Sequence, residues 1–249
     1  MIDSIISESR HKFVYFDGSE DTFSHIEKKY PAVIDSSDPI AVYVKDSGIP
    51  RAFVRYPEVK LDRDMIISYH NRYYEILIFS SIIDTLFGQI DESILNKRMK
   101  RVFELCSMGS KSKIKNVSML REYLIKSKDM YKNKYYDYIK TGRMDFYDEI
   151  PIPYVIIDML VPTLKECLGF NGYFSLLLEV DDNISLQSEM AINDYISSRC
   201  NGYLSVNILL SGNEWSYYYN SNGIVIERVH DYGEVNLRKD KIRKKSIHN

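Results

Sequence analysis

The chain has 249 residues, 45% of them hydrophobic and 27% charged, and its 33 Lys and Arg against 35 Asp and Glu leave a net charge of -2. That length supports a full core without staples, and the composition excludes a disordered, collagen-like or disulfide-scaffold polypeptide. Three cysteines, Cys106, Cys167 and Cys200, form no CxxC pair, which fits a reducing, cytoplasmic setting.

The opening MIDSIISESRHK carries acids and serines where a secretion signal needs a basic end and an apolar core, so no signal is expected. Residues 12–18 (KFVYFDG), 40–46 (IAVYVKD) and 51–56 (RAFVRY) are short, β-branched and aromatic, and read as strands. FSHIEKKY between the first two offers a short helix with Ser24 near its start. Ser47, Gly48 and Pro50 make the second pair a hairpin, giving a β-α-β-β order over residues 1–60.

From Asp62 the pattern turns helical. DRDMIISYHNRYYEILIFSSIIDTLFG predicts one long helix stopped by Gly88, DESILNKRMKRVFELC a second, and NVSMLREYLIKSKDMYKNKYYDYIKTG a third ending at Gly142. Pro151 and Pro153 open another apolar helix that Pro162 kinks or splits. The apolar stretches 74–88 and 150–170 are interrupted by Glu75, Asp84, Asp158, Lys165 and Glu166, which argues against a membrane span.

The last third reads as strand 173–180, helix 185–200 and strand 203–210, a parallel crossover unit, followed by WSYYYN and IVIERV as an antiparallel hairpin. A two-residue turn at Asn222-Gly223 sets Tyr219 opposite Ile226 and Tyr217 opposite Arg228. Trp215, Tyr217 and Tyr219 then continue the aliphatic face of Val206, Ile208 and Leu210, which predicts core, with Ser205, Asn207 and Tyr218 on the other face and Arg228 and His230 at the margin. The expected class is therefore α+β: residues 1–60 a small α/β segment, 61–170 a helical and basic middle, 171–237 a β-α-β-β sheet unit and 238–249 a basic tail, with one continuous body as the alternative.

The small net charge hides segregation. Residues 1–90 hold 10 basic and 14 acidic groups, 91–144 hold 14 and 6, 145–237 hold 3 and 14, and 238–249 hold 6 and 1. Such blocks are statements about partners. In KSKDMYKNKYYDYIK, Tyr131, Tyr135 and Tyr138 share one helical face while Lys126, Lys128, Lys132, Lys134 and Lys140 spread around the rest. Lysines interleaved with aromatics can follow a phosphate backbone; the same pattern is also that of an amphipathic helix with solvated lysines. The tail adds Arg238, Lys239, Lys241, Arg243, Lys244 and Lys245.

The other chemical candidate is EVDD at the end of the strand 173–180. Glu179, Asp181 and Asp182 at a strand's carboxyl end could share a magnesium or manganese ion, or could simply form a polar turn that caps the next helix. A nuclease needs a base beside those acids, and residues 145–237 offer only Lys165, Arg199, Arg228 and His230. SMGSKSK (107–113) lacks the adjacent Gly-Lys of a phosphate loop, and no histidine pairing suggests zinc. The leading expectation is a cofactor-free binding or regulatory protein that engages nucleic acid or an acidic protein partner through residues 97–140 and the tail. The alternatives are a Mg- or Mn-dependent nuclease or phosphoryl-transfer enzyme, and a non-catalytic subunit of a larger assembly.

Overall fold

A computed structural model describes residues 2–16, 30–45, 61–108, 113–143, 156–180, 184–197, 202–211, 215, 218–228 and 230–237. In chain order the elements are α1 (Ile2–Ile6), β1 (His11–Tyr15), β2 (Ile40–Lys45), α2 (Arg63–Gln89), α3 (Glu92–Arg98), α4 (Lys100–Met108), α5 (Val117–Thr141), a π-helical turn (Ile156–Leu160), α6 (Val161–Leu168), β3 (Phe174–Glu179), α7 (Leu186–Ser197), β4 (Leu204–Leu210) and β5 (Tyr232–Asn236). The expected strand 51–56, the Ser47-Gly48-Pro50 turn and most of the helix FSHIEKKY lie outside the described residues. The chain divides into two compact units: Met1–Tyr30, Pro39–Pro50 and Tyr173–Asn249 form one, and Pro31–Asp38 with Arg51–Gly172 the other.

The first unit holds one five-stranded sheet in the order β2-β3-β4-β1-β5, with every pairing parallel. This corrects the α+β expectation of small sheets near both ends, because the early strands β1 and β2 pair with β4 and β3. Parallel neighbours need a crossover connection of about a dozen residues or more, and the long segments between these paired strands supply it. β3, α7 and β4 form the expected strand-helix-strand unit.

A central parallel strand is covered on both faces. Every residue of β4 is buried accordingly, and Ser205 and Asn207, expected on a polar outer face, have no exposure at all. The Ser205 hydroxyl donates to the Arg10 carbonyl, and the Asn207 amide donates to Ser175 Oγ and the Leu176 carbonyl. On one face Ile5 and Ile6 of α1 pack with Val14, Phe16, Ala41, Leu177 and Leu209. Buried Lys12 donates to the Ile5 carbonyl and Tyr173 to the Ile6 carbonyl, so the last turn of α1 has partners for its orphan acceptors.

The expected antiparallel hairpin is also corrected. Among the described residues the segment has a single antiparallel bridge, Tyr219 with Val225, and the strand that follows is β5, which pairs parallel with β1. The turn closes one residue earlier than a two-residue Asn-Gly loop would: Gly223 donates to the Asn220 carbonyl, Asn220 to that of Ile224 and Ile226 to that of Tyr218. Gly223, at φ +75, is the left-handed last residue of a three-residue loop. One residue of slip puts Tyr218 instead of Tyr219 opposite buried Ile226. Trp215 is buried against Phe13 as expected, but Tyr219 is exposed, while Tyr218 stacks on Tyr232 and meets Phe13 edge-on.

The second unit is helical. Asp62 caps α2 by accepting from the Asp64 and Met65 amides, and Asn116 caps α5 by accepting from Met119. α2 runs through Gly88 to Gln89 and ends on extended Ile90, so Gly88 is not the stop; Gly142, at φ +66, does close α5. The expected second helix is broken at Met99 into α3 and α4. α2 and α5 pack through tyrosines: Tyr69 lies 5.6 Å from Tyr138 and 5.9 Å from Tyr135 between ring centres, and His70 meets Tyr135 at 5.2 Å. The Tyr138 hydroxyl accepts from the Asp62 amide at 2.7 Å. Pro162 sits in the first turn of α6, directly after the π-helical turn, where its missing donor does least harm.

Candidate functional site

In an all-parallel sheet the carboxyl ends of all strands lie at one edge, where open α/β sheets place ligands. Glu179 ends β3 there and Lys45 ends β2, and the two are register partners. Residues opposite one another on neighbouring strands share a face, and Tyr43, two residues before Lys45, shares it too. The Tyr43 hydroxyl donates to Glu179 Oε2. Tyr30, packed against the same apolar cluster as Tyr43, donates to Asp3 Oδ1. Lys45 of β2 is thus the basic residue in register with Glu179, a pairing that no spacing in the sequence gives. Asp181 and Asp182 lie outside the described residues, and among those described no group of three His, Cys, Asp or Glu is arranged to hold a metal ion.

In the basic middle three arginines are tied: Arg98 grips both oxygens of Asp35 at 2.8 and 2.9 Å, Arg101 meets Glu166 at 3.1 Å, and Arg121 meets Asp84 at 2.5 Å while lying over the Phe87 ring. Lys126 pairs with Glu122 at 3.8 Å, in the open. Lys128, Lys132, Lys134 and Lys140 make no ion pair with any described residue. Tyr131, Tyr135 and Tyr138 are buried, as an amphipathic helix requires. At about 100° per residue, Lys128 and Lys132 flank one side of the tyrosine face and Lys134 the other. Lys126 and Lys140 turn outward among Glu122, Asp129 and Asp137, so the lysines do not line up as one stripe. Arg238, Lys239, Lys241, Arg243, Lys244 and Lys245 lie outside the described residues.

The two described thiols, Cys106 and Cys167, are poor nucleophile candidates. Burial pushes Cys106 up to about 12 and raises Cys167 as well, and the thiolate is the reactive form. Among the described residues no helix is long and apolar enough to cross a membrane.

Two polar sites escaped sequence reasoning. On α2, Glu75 is nearly buried beside Arg72 and accepts from the Ile156 amide of the π-helical turn, near Asp158. On β1, buried His11 accepts the Val206 amide on Nδ1 at 2.9 Å. Neither has a spacing that betrays it, since each partner comes from a distant segment.

No family model, no curated protein and no solved structure matches this chain.

Proposed function

We propose that the chain binds a polyanion, a nucleic acid or an acidic protein surface, through the lysines of α5 with the basic tail. The observation that carries this reading is which charges of the basic middle are already engaged and which are not. Arg98, Arg101 and Arg121 are spent on internal carboxylates, whereas Lys128, Lys132, Lys134 and Lys140 are paired with no described residue. Their charge is thus available to a partner, on the two flanks and the outer side of one 25-residue helix. Filter binding or mobility shift of single- and double-stranded probes across a salt series tests it. Each phosphate neutralised contributes about -0.9 to the slope of log K against log salt on duplex DNA. Changing the five lysines 126, 128, 132, 134 and 140 to Gln should flatten that slope and weaken binding, and deleting 238–249 should do so further. No binding to nucleic acid or to an acidic protein at low salt, or binding indifferent to these changes, would remove the reading. Capture into a larger complex through the same lysines would make the acidic protein the partner.

The placement of Lys45 and Tyr43 beside Glu179 favours a second reading, metal-dependent phosphoryl transfer at the carboxyl edge of the sheet. Glu179 would hold Mg or Mn together with Asp181 and Asp182; the ion would supply Lewis-acid stabilisation of a phosphoryl oxygen. Tyr43 orients the Glu179 carboxylate, and Lys45 would offset phosphate charge. Hydrolysis of nucleic acid in the presence of Mn that survives Glu179→Gln and the double change Asp181→Ala, Asp182→Ala would refute it.

A further inference from the structure

The sheet unit contains a cavity of about 490 Å³ that neither reading above uses. Its frame is a clamp between the end of α7 and the turn at 219–224. Asn193 donates to the Tyr219 carbonyl at 2.9 Å, Asp194 accepts both the amide and the hydroxyl of Ser221 at 2.8 Å, and Asn220 donates to Ser197 Oγ at 3.1 Å. Asn220 Oδ1 accepts from the Asn222 and Ile224 amides. A second closed loop faces it, in which Glu227 donates its amide to Asp231 Oδ2 and Asp231 returns its own to the Glu227 carbonyl, both at 2.8 Å. The walls are therefore fixed by hydrogen bonds, as binding sites require.

Among the described residues the lining holds two carboxylates and no permanently charged base. The carboxylates are those of Glu227 and Asp231, and Ser197 belongs to the last described turn of α7. Arg228, next to Glu227 in the chain, is held by Glu234 at 3.1 Å, and among the described residues His230 is the one basic side chain in the lining. Beside the acids, Ile224 and Val225 are 60% and 46% exposed, an apolar strip next to a polar end.

We propose that this cavity binds an organic cation, an ammonium or guanidinium group on a short aliphatic stem, with the charged head between Glu227 and Asp231 and the stem on Ile224 and Val225. A basic side chain buries its stem and keeps its head on a charged acceptor in this way. The same chemistry is offered by a free polyamine and by a Lys or Arg side chain of a basic peptide. The proposal is independent of the polyanion reading, because it uses none of the same residues and takes a ligand of opposite charge.

The test is calorimetric titration of the full chain with butylguanidinium and with its neutral isostere butylurea. Methyl and imidazole NMR shifts of Ile224, Val225 and His230 report the place. Saturable one-to-one binding of the cation is expected, with butylurea weaker by roughly tenfold or more, the size of one charge-assisted hydrogen bond. Glu227→Gln and Asp231→Asn keep volume and the local hydrogen bonds, and each should weaken the cation by roughly tenfold while Trp215 emission stays unchanged. Tighter binding of spermidine points to a free polyamine, and tighter binding of N-acetyl-arginine amide to a peptide side chain. The proposal is overturned if neither probe saturates, if butylurea binds as well as the cation, or if Glu227→Gln leaves the affinity where it was.

Discussion

Glu75 and Arg72, one turn apart on α2, form a 2.7 Å ion pair almost out of contact with water, and the ion pair does not keep the carboxylate ionised at low pH. Burial pushes Glu75 up to about 7; Arg72 and the Ile156 amide pull it down, and Asp158 adds to the rise. Desolvation outweighs the salt bridge here, as it often does for buried ions. The group also lies beside the π-helical turn, so its protonation state bears on how that turn is held against α2.

The sign of the resulting pH dependence follows from linkage. A carboxyl whose folded pKa is raised contributes stability that is full below its unfolded value near 4.5 and is lost as pH rises to about 7. Glu75→Gln mimics the protonated form at every pH. Relative to the parent chain, the variant should therefore gain stability between pH 5 and pH 8, by something on the order of 2 kcal/mol. Urea unfolding of both proteins across that range checks it, because all other titrations cancel in the difference. A constant difference would show that Glu75 titrates normally.

His11 has the opposite sign. Its Nδ1 accepts the Val206 amide, which only the neutral ring can do, and burial lowers it to about 4 against the smaller upward pull of Asp231. His70 is likewise lowered to about 4 by burial. For these groups stability is full above 6.5 and falls as pH drops towards 4. Imidazole NMR titration should show His11 and His70 still neutral at pH 5.5, with the His11 signal assigned by its loss in His11→Asn. Titration of either near 6.5 would contradict its burial.

How much of this was legible in advance depends on the range of the contacts. β1, β2, β3, β4 and α7 follow from local alternation and periodicity, and Glu179 at a strand end is visible in EVDD. The single sheet is not visible, because Lys45 pairs with Glu179 across most of the chain and nothing near either residue encodes that register. β5 was missed for another reason: as an edge strand with Gly233 and alternately exposed residues it lacks an apolar run, while IVIERV looks more strand-like. Asn222-Gly223 signals a turn but not whether its loop has two or three residues, and that one residue decides which of Tyr218 and Tyr219 faces inward. The cavity at Glu227 and Asp231 depends on the α7 clamp, which no spacing announces.

Two glycines with nearly the same backbone should respond differently to alanine. Gly169 and Gly223 have φ +66 and +75, so each loses about 1–2 kcal/mol as alanine from left-handed strain alone. At Gly223 an added Cβ meets nothing within 4 Å, and the loss should stop there. At Gly169 it runs into Asp35 Oδ1, the carboxylate that Arg98 grips bidentately while also donating to the Leu168 carbonyl. Gly169→Ala must therefore displace Asp35 as well, and its midpoint in denaturant should fall further than that of Gly223→Ala. Equal midpoints would mean that Asp35 yields without loss.

Asn193 is the residue on which the sheet unit's aromatic side most depends. It has no exposure, accepts the Trp215 indole N–H at 3.2 Å and donates to the Tyr219 carbonyl, so one amide satisfies a buried donor on one segment and an acceptor on the turn. Alanine there removes both hydrogen bonds and opens space beside Trp215, which already packs on Phe13 at 5.2 Å. The combined effect is about 2–4 kcal/mol. Trp215 is the only tryptophan, so its emission reports this site without interference. Asn193→Ala should move that emission to longer wavelength and lower the unfolding midpoint together, whereas Asn193→Asp, which keeps the acceptor for the indole but not the donor to Tyr219, should shift the emission less. A variant that loses stability with unaltered emission would place the weakness in the turn alone and show that the indole hydrogen bond contributes nothing.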